Sequence, residues 1–261
     1  MLAGKPRPCP VAPVRHLWQD KSSGSGGPWF GLTLPVSQTL PVSQTFRMPQ
    51  MTDFASRRVT MVDTQVRPQD VTKFPIIAAM LAVPREAYVP AAAREAAYVG
   101  QNVTLAPGRV ALEPRSLAKL LDALDVNQGE TALVIAAGYG YAAAVLADMG
   151  AKVTALESDA TMAEAARANL GALAQVVTGP LAEGVKGGFD LILIEGAIEA
   201  LPPAIAAQLN EGGRIGAIFM EGPLGIGRIA HKLDGKIGWR QVFNATAPVL
   251  PGFEAPRAFV L

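Results

Sequence analysis

From about residue 71 the chain alternates short unbroken apolar runs with stretches whose apolar residues recur at helical spacing. Phe74, Ile77 and Leu81 share one face of a predicted helix over 71–81, where Pro75 is acceptable only in the first turn. Residues 83–90 break that helix, and 98–114 reads as a loop or a short strand pair. Leu117, Leu120, Leu121 and Leu124 mark a second amphipathic helix over 115–124. Residues 132–137 form an apolar run of strand length. The turn Gly138-Tyr139-Gly140 follows, then an alanine-rich helix over 141–148 and a second strand over 152–156 that ends in Glu157. Strand, glycine turn, helix and strand make a βαβ unit, which feeds a parallel sheet by a right-handed crossover.

The alternation continues. Ser158 or Asp159 is placed to cap a helix reaching residue 170. Strands are expected over 175–178, over 189–194 (nearly all apolar, as a strand buried on both faces requires) and over 214–219, with a helix over 202–209 stopped by Gly212-Gly213. Asp234-Gly235 between 229–233 and 236–243 signals a hairpin, and 257–261 reads as a last strand. The glycine-rich residues 222–228 lack the Lys-Ser/Thr of a phosphate loop and are read as the connection between strands five and six. Trp239 is assigned to hairpin packing. The expected fold is α/β: a Rossmann-like sheet of the class I methyltransferase kind with antiparallel C-terminal strands, since a dinucleotide fold would continue with further parallel units.

Residues 1–50 have a different texture, rich in Pro, Gly and Ser, with LPVSQ repeated in tandem between Thr33 and Thr45. Such a composition buries too little apolar surface to offset chain entropy, so a disordered tail is expected, or an upstream extension ahead of a natural start at Met48 or Met51. The tail holds five of the 23 Lys and Arg but only Asp20 of the 22 acidic residues, so the remainder carries a small negative charge. That balance argues against a nucleic-acid partner. No run reaches the ~20 apolar residues of a membrane span and no secretory signal is evident, so a cytoplasmic monomer is expected. Cys9, His16 and His231 are the sole cysteine and histidines of the chain. A disulfide, a Cys/His metal site and a thiol nucleophile in the body are excluded, no metal is expected, and chemistry carried by a cofactor is favoured by elimination.

The βαβ unit is where a cofactor would sit. Glycine permits close backbone approach, a helix start offers N–H groups, and an acid at the next strand end accepts both ribose hydroxyls. Glu157 lies 19 residues after Gly138, near the expected offset. Gly138-x-Gly140-x-x-Ala143 passes as a dinucleotide fingerprint, and the same residues read equally as an S-adenosylmethionine loop. Both ligands remain open on these residues alone.

A further set of words narrows the choice. Met61-Val62, Gln65-Val66-Arg67, Ala79-Met80, Val83-Pro84-Arg85-Glu86, Val89-Pro90 and Ala97-Tyr98 precede the sheet, and Gly140-Tyr141, Phe189-Asp190, Leu201-Pro202 and Gly212-Gly213-Arg214 lie within it. In these words, and at their spacing, the chain resembles the protein-L-isoaspartate O-methyltransferases from about Met61 onward. The resemblance implies S-adenosylmethionine as cofactor, held by Ala136, Gly138, Gly140, Glu157 and Ser158. It also implies methyl esterification of isoaspartyl residues in peptide or protein substrates, with a helical cap over 51–115 ahead of a cofactor domain over 116–261. Around the substrate it points to Arg109, Val110 and Leu112, with Arg115 as a second cation. The departures lie where the chemistry is expected. The family's Asp falls on Gly100, its Thr on Val110 and its active-site Ser on Leu112. The loop's acid falls on Val134, its first glycine on Ala136, and the acid near the adenine on Pro180. No catalytic side chain is therefore assigned, and backbone N–H groups over 106–114 are the remaining donors for a substrate carboxylate. The alternatives are a family member that methylates another substrate, a non-catalytic binding protein and, more distantly, an NAD-binding dehydrogenase.

Overall fold

The structure, a computed structural model, describes residues 53–256; the repeat-bearing segment and the strand expected over 257–261 lie outside the described residues. Five parallel strands, β3 (Thr131–Ile135), β4 (Lys152–Glu157), β5 (Ala174–Thr178), β6 (Phe189–Ile198) and β7 (Leu209–Glu221), are continued by the antiparallel β8 (Leu224–Leu233) and β9 (Lys236–Asn244). Their order across the sheet is β5-β4-β3-β6-β7-β8-β9. β3 lies between β4 and β6 near the middle, so its loop opens at the carboxyl ends of the parallel strands, where ligands of such sheets bind. This is the Rossmann-like α/β sheet with antiparallel C-terminal strands that the hydrophobic pattern implies.

Period-two alternation sends the side chains of each strand to two cores. Ala132 and Val134 of β3 join Leu191 and Leu193 of β6 in one cluster, while Leu133, Ile135, Ile192 and Ile194 belong to the other. The first cluster also takes up α2 (Phe74–Ala82), α3 (Pro114–Leu124), α4 (Tyr141–Asp148) and part of α5 (Ala160–Leu170); the second takes Ile205 of α6 (Pro203–Ala207) and Phe253. α5 is capped by the Asp159 carboxylate, which accepts from Met162 N at 2.8 Å.

Several elements differ from expectation. α2 starts at Phe74, which puts Pro75 in the first turn, where its missing N–H costs nothing. Residues 54–69, left without an assignment by the sequence pattern, are helical: α1 (Phe54–Met61) runs into the wider turn Val62–Val66 and a tight one at Arg67–Gln69. The Asp53 side chain caps α1 through Ser56 N. α6 stops at Ala207, and β7 begins five residues before the expected Arg214. The reading of 222–228 as a connection needs correction. Gly222, at φ 62°, reverses the chain so tightly that Glu221 pairs with Leu224, and residues from Leu224 onward are strand. Gly227 is required there because a Cβ would fall 2.7 Å from the Phe243 ring, and Gly225 because it would meet the Ala245 carbonyl. Trp239 of β9 meets Phe219 of β7 edge-on with ring centroids 4.7 Å apart, packing the hairpin against the strand before it.

Candidate functional site

The loop joining β3 to α4 turns on three residues in the left-handed region: Ala136 (φ 63°), Gly138 (φ 56°) and Gly140 (φ 96°). Glycine occupies that region freely, whereas alanine pays about 1 kcal/mol. Ala136, at the position of the family's first glycine, therefore keeps the loop's shape at a cost in strain. The loop stays in register with β4 through Ala137 N, which donates to the Leu156 carbonyl at 3.1 Å. Ala136 and Ala137 are buried.

Glu157, at the end of β4, is fully buried, and its carboxylate accepts from donors on several segments. Oε2 accepts from Gly138 N at 2.7 Å, and Oε1 from Ser158 N at 2.8 Å and Asp159 N at 3.0 Å. The Arg109 guanidinium then closes on both oxygens as a fork, Nη1 to Oε1 at 2.7 Å and Nη2 to Oε2 at 2.6 Å. A carboxylate offers about four lone-pair sites, and five N–H donors already share them. The structure thus brings Gly138, Glu157 and Ser158 together. Arg109, expected beside a substrate carboxylate, lies instead on the Glu157 carboxylate. In this arrangement a ribose diol does not fit: the acceptor it requires is saturated.

Arg109 comes from a two-stranded hairpin, β1 (Val103–Ala106) and β2 (Arg109–Ala111), which forms a sheet of its own. Leu105 on the same hairpin reaches the glycine loop, its Cδ1 lying 2.6 Å from where a Cβ on Gly138 would be. The backbone donors over 106–114 are in part engaged. Val103, Thr104 and Ala106 pair with Ala111, Val110 and Arg109, and Glu113 N donates to Asn102 Oδ1 at 2.8 Å. Val110 and Leu112 are buried in the core, so neither faces a solvent-filled substrate cleft. Gly100 has room for a larger side chain, since its Cβ would touch only Gln65, at 3.6 Å. Arg115 stands apart. It donates through Nη2 to the Asn244 carbonyl at 2.6 Å and borders an open polar cleft with Gln101, Asn102, Glu113 and Thr246.

Two buried charged residues were not legible as site residues. Glu195 lies where the β6–β7 register breaks between Leu193 and Ala197, just past the end of β3, and bulges of this kind re-aim side chains. It is 2% exposed, and its Oε1 has no hydrogen-bond partner. Burial pushes its carboxyl up to about 7, the nearby Glu157 pushes the same way, and Arg85 and Arg109 pull against both. Arg85 is fully buried, donating from Nε to the Ala97 carbonyl and from Nη2 to the Leu112 carbonyl, both at 2.7 Å. The signal for Glu195 was an acid closing an apolar strand run, and for Arg85 a cation inside an apolar segment. Neither spacing nor periodicity says what such a residue faces. Among the described residues no group of three or more metal-ligating side chains occurs, and no helix is long and apolar enough to cross a membrane.

Comparison with known proteins bears on what this site belongs to. A protein-L-isoaspartate O-methyltransferase of Methylorubrum extorquens is 38% identical over 184 residues, covering 69% of this chain and 80% of that protein. One of Koribacter versatilis is 34% identical over 173 residues, covering 64% and 78%. A Plasmodium falciparum structure under the same enzyme name, in complex with S-adenosyl-L-homocysteine, superposes with a TM-score of 0.65 at 18% identity, over 76% of this chain and 98% of that one, a likeness of fold. The family description Protein-L-isoaspartate(D-aspartate) O-methyltransferase matches residues 57–242. With a parallel sheet carrying Glu157 beneath a glycine loop, and with these matches across its length, the chain belongs to the protein-L-isoaspartate (D-aspartate) O-methyltransferase family.

Proposed function

We propose that this chain is an S-adenosylmethionine-dependent protein-L-isoaspartate O-methyltransferase, which esterifies the free carboxylate at isoaspartyl residues of peptide or protein substrates. The observation that supports it is the retained acid of the family's cofactor site, Glu157, held at the end of β4 by backbone donors of the two neighbouring loops that follow β3 and β4. S-adenosylmethionine supplies an activated methyl group, so the protein's task is to place an ionised oxygen in line with it and little acid–base help is needed. Of the two cations expected at the substrate, Arg109 is engaged elsewhere. Arg115, about a third exposed at its polar cleft, is the one we assign to the substrate carboxylate. The same reading takes the protein to be a monomer of the cytoplasm that engages neither nucleic acid nor membrane.

A second reading, a family member that binds without methylating, draws on Leu112. At the position of the family's serine it offers no hydrogen bond and is buried in the core. Transfer of a labelled methyl group to an isoaspartyl peptide, beside its aspartyl twin and at saturating cofactor, separates the two. Label in the isoaspartyl peptide alone is expected. No label in either, with cofactor demonstrably bound, leaves the second reading.

A further inference from the structure

The saturated Glu157 carboxylate has a consequence for how a nucleoside enters. Arg109 is 7% exposed and holds both carboxylate oxygens, and Leu105 of the same hairpin covers Gly138. One small element therefore blocks both the acid and the glycine loop of the cofactor site. Its strands are four and three residues long, its register slips between Thr104 and Ala106, and it shares no ladder with the seven-stranded sheet. A lone two-stranded hairpin is marginally stable and is held here by what its side chains touch. A buried guanidinium, however, leaves its carboxylate only if another waits nearby, because an uncompensated buried charge is strongly unfavourable. Glu195 meets that need. It is buried on β6, the strand against which β2 and its Arg109 pack, with Oε1 unpartnered, and Arg109 Nε is itself without a partner.

We propose that Arg109 is a displaceable plug: it occupies the ribose site on Glu157 in the free protein, and an entering nucleoside hands its guanidinium to Glu195 as hairpin β1–β2 lifts from the glycine loop. The proposal rests on the S-adenosylmethionine reading above. The groups that act on Glu195 are Arg85 from the segment before the hairpin, Arg109 from β2, Glu157 from β4 and Tyr141 from α4. In the closed state Glu195 is held close to half-protonated at neutral pH. Receiving Arg109 while Glu157 turns to the ribose favours its ionised form, so near pH 7 the exchange releases about half a proton per site to solvent.

The test is calorimetric titration of the full chain with S-adenosylhomocysteine near pH 7, in buffers of different ionisation heat, for wild type, R109Q and E195Q. Amide hydrogen exchange of residues 103–111 in the wild type, with and without the ligand, needs no variant and stands even where R109Q fails to fold. The plug predicts at least tenfold tighter binding in R109Q, faster exchange of the hairpin in the bound wild type, and proton release in wild type that E195Q abolishes. Equal affinity in wild type and R109Q, with hairpin exchange unchanged, overturns the plug and leaves the cofactor reading standing. Tighter binding in R109Q without proton release in wild type overturns the handover to Glu195. No binding to either protein overturns the plug and the cofactor reading together.

Discussion

The Arg85 guanidinium carbon lies 4.6 Å from the centroid of the Tyr141 ring, stacking the segment before the hairpin onto the first turn of the helix that follows the glycine loop. With its bonds to the Ala97 and Leu112 carbonyls, this one side chain ties three segments of the N-terminal region to the sheet domain. Its charge is balanced in part by Glu195, on which it is the foremost group favouring ionisation. Arg85→Met keeps much of the volume but orphans two carbonyls and leaves Glu195 less compensated. A loss of about 3–5 kcal/mol is expected by analogy with broken buried pairs, read by urea denaturation. A loss under about 1 kcal/mol would show that the guanidinium contributes little to docking that segment.

Glu195 makes stability depend on pH in the direction opposite to a salt-bridged carboxylate. Its folded value of about 7 lies above the ordinary 4.5, so between those values the folded state binds more protons than the unfolded one. Stability is therefore full below the unfolded value, falls as pH rises through that window, and levels off above the folded value. The total amounts to roughly 3 kcal/mol by linkage. Glu195→Gln is expected to flatten the profile between pH 5 and about 8. An unchanged slope in the variant assigns it to another group.

What was legible in the sequence follows from what local pattern encodes. The βαβ unit, the order of strands and helices and the Asp234-Gly235 hairpin announce themselves through apolar period and turn chemistry, which act over a few residues. Glu157 was singled out because an acid accepting ribose hydroxyls is expected at a fixed offset from Gly138, and the structure places it beside Gly138 N. Arg109 was read as a substrate cation, and its contact with Glu157 was not foreseen, since that contact spans 48 residues and depends on how the hairpin folds over the sheet. Gly225 and Gly227 misled for the same reason. Their absent side chains make room for Ala245 and Phe243, neighbours brought close by β9, and a glycine-rich stretch reads the same whether it frees the backbone or yields space. Helix α1 escaped because Arg57 and Arg58 interrupt its apolar pattern and Met61 is its one buried side chain.

Reinstating the family's polar side chains is not a free operation in this core. Leu112 is fully buried and its carbonyl holds Arg85. Leu112→Ser removes a large apolar side chain and leaves a hydroxyl in search of a partner, a change expected to cost about 3 kcal/mol or more. Gly100→Asp meets only ordinary contact with Gln65 and is expected to cost little. Thermal denaturation of each variant separates the two. If Leu112→Ser melts within a few degrees of the parent, the site has room for the serine, and the triple change Gly100→Asp, Val110→Thr, Leu112→Ser becomes a fair test of restored transfer.

The contact between the hairpin and the glycine loop is open to a double-mutant cycle. Gly138 sits at φ 56°, so alanine there carries about 1 kcal/mol of left-handed strain whatever surrounds it. Its Cβ would in addition fall 2.6 Å from Leu105 Cδ1, too close to stand. The atom in the way is the tip of a flexible side chain, so the hairpin has to shift or Leu105 has to change rotamer. Gly138→Ala alone is expected to destabilise by about 2 kcal/mol, the strain plus part of the lost Leu105 packing. Leu105→Ala removes the clash, so the double variant is expected to be less destabilised than the sum of the singles, by about 0.5–1 kcal/mol of coupling. The strain term is common to both backgrounds and cancels in the cycle, which leaves the coupling as a measure of how firmly the hairpin rests on the loop. Coupling near zero, measured by urea denaturation of the four proteins, would mean that Leu105 does not press on Gly138 in solution and that the hairpin already stands off the glycine loop.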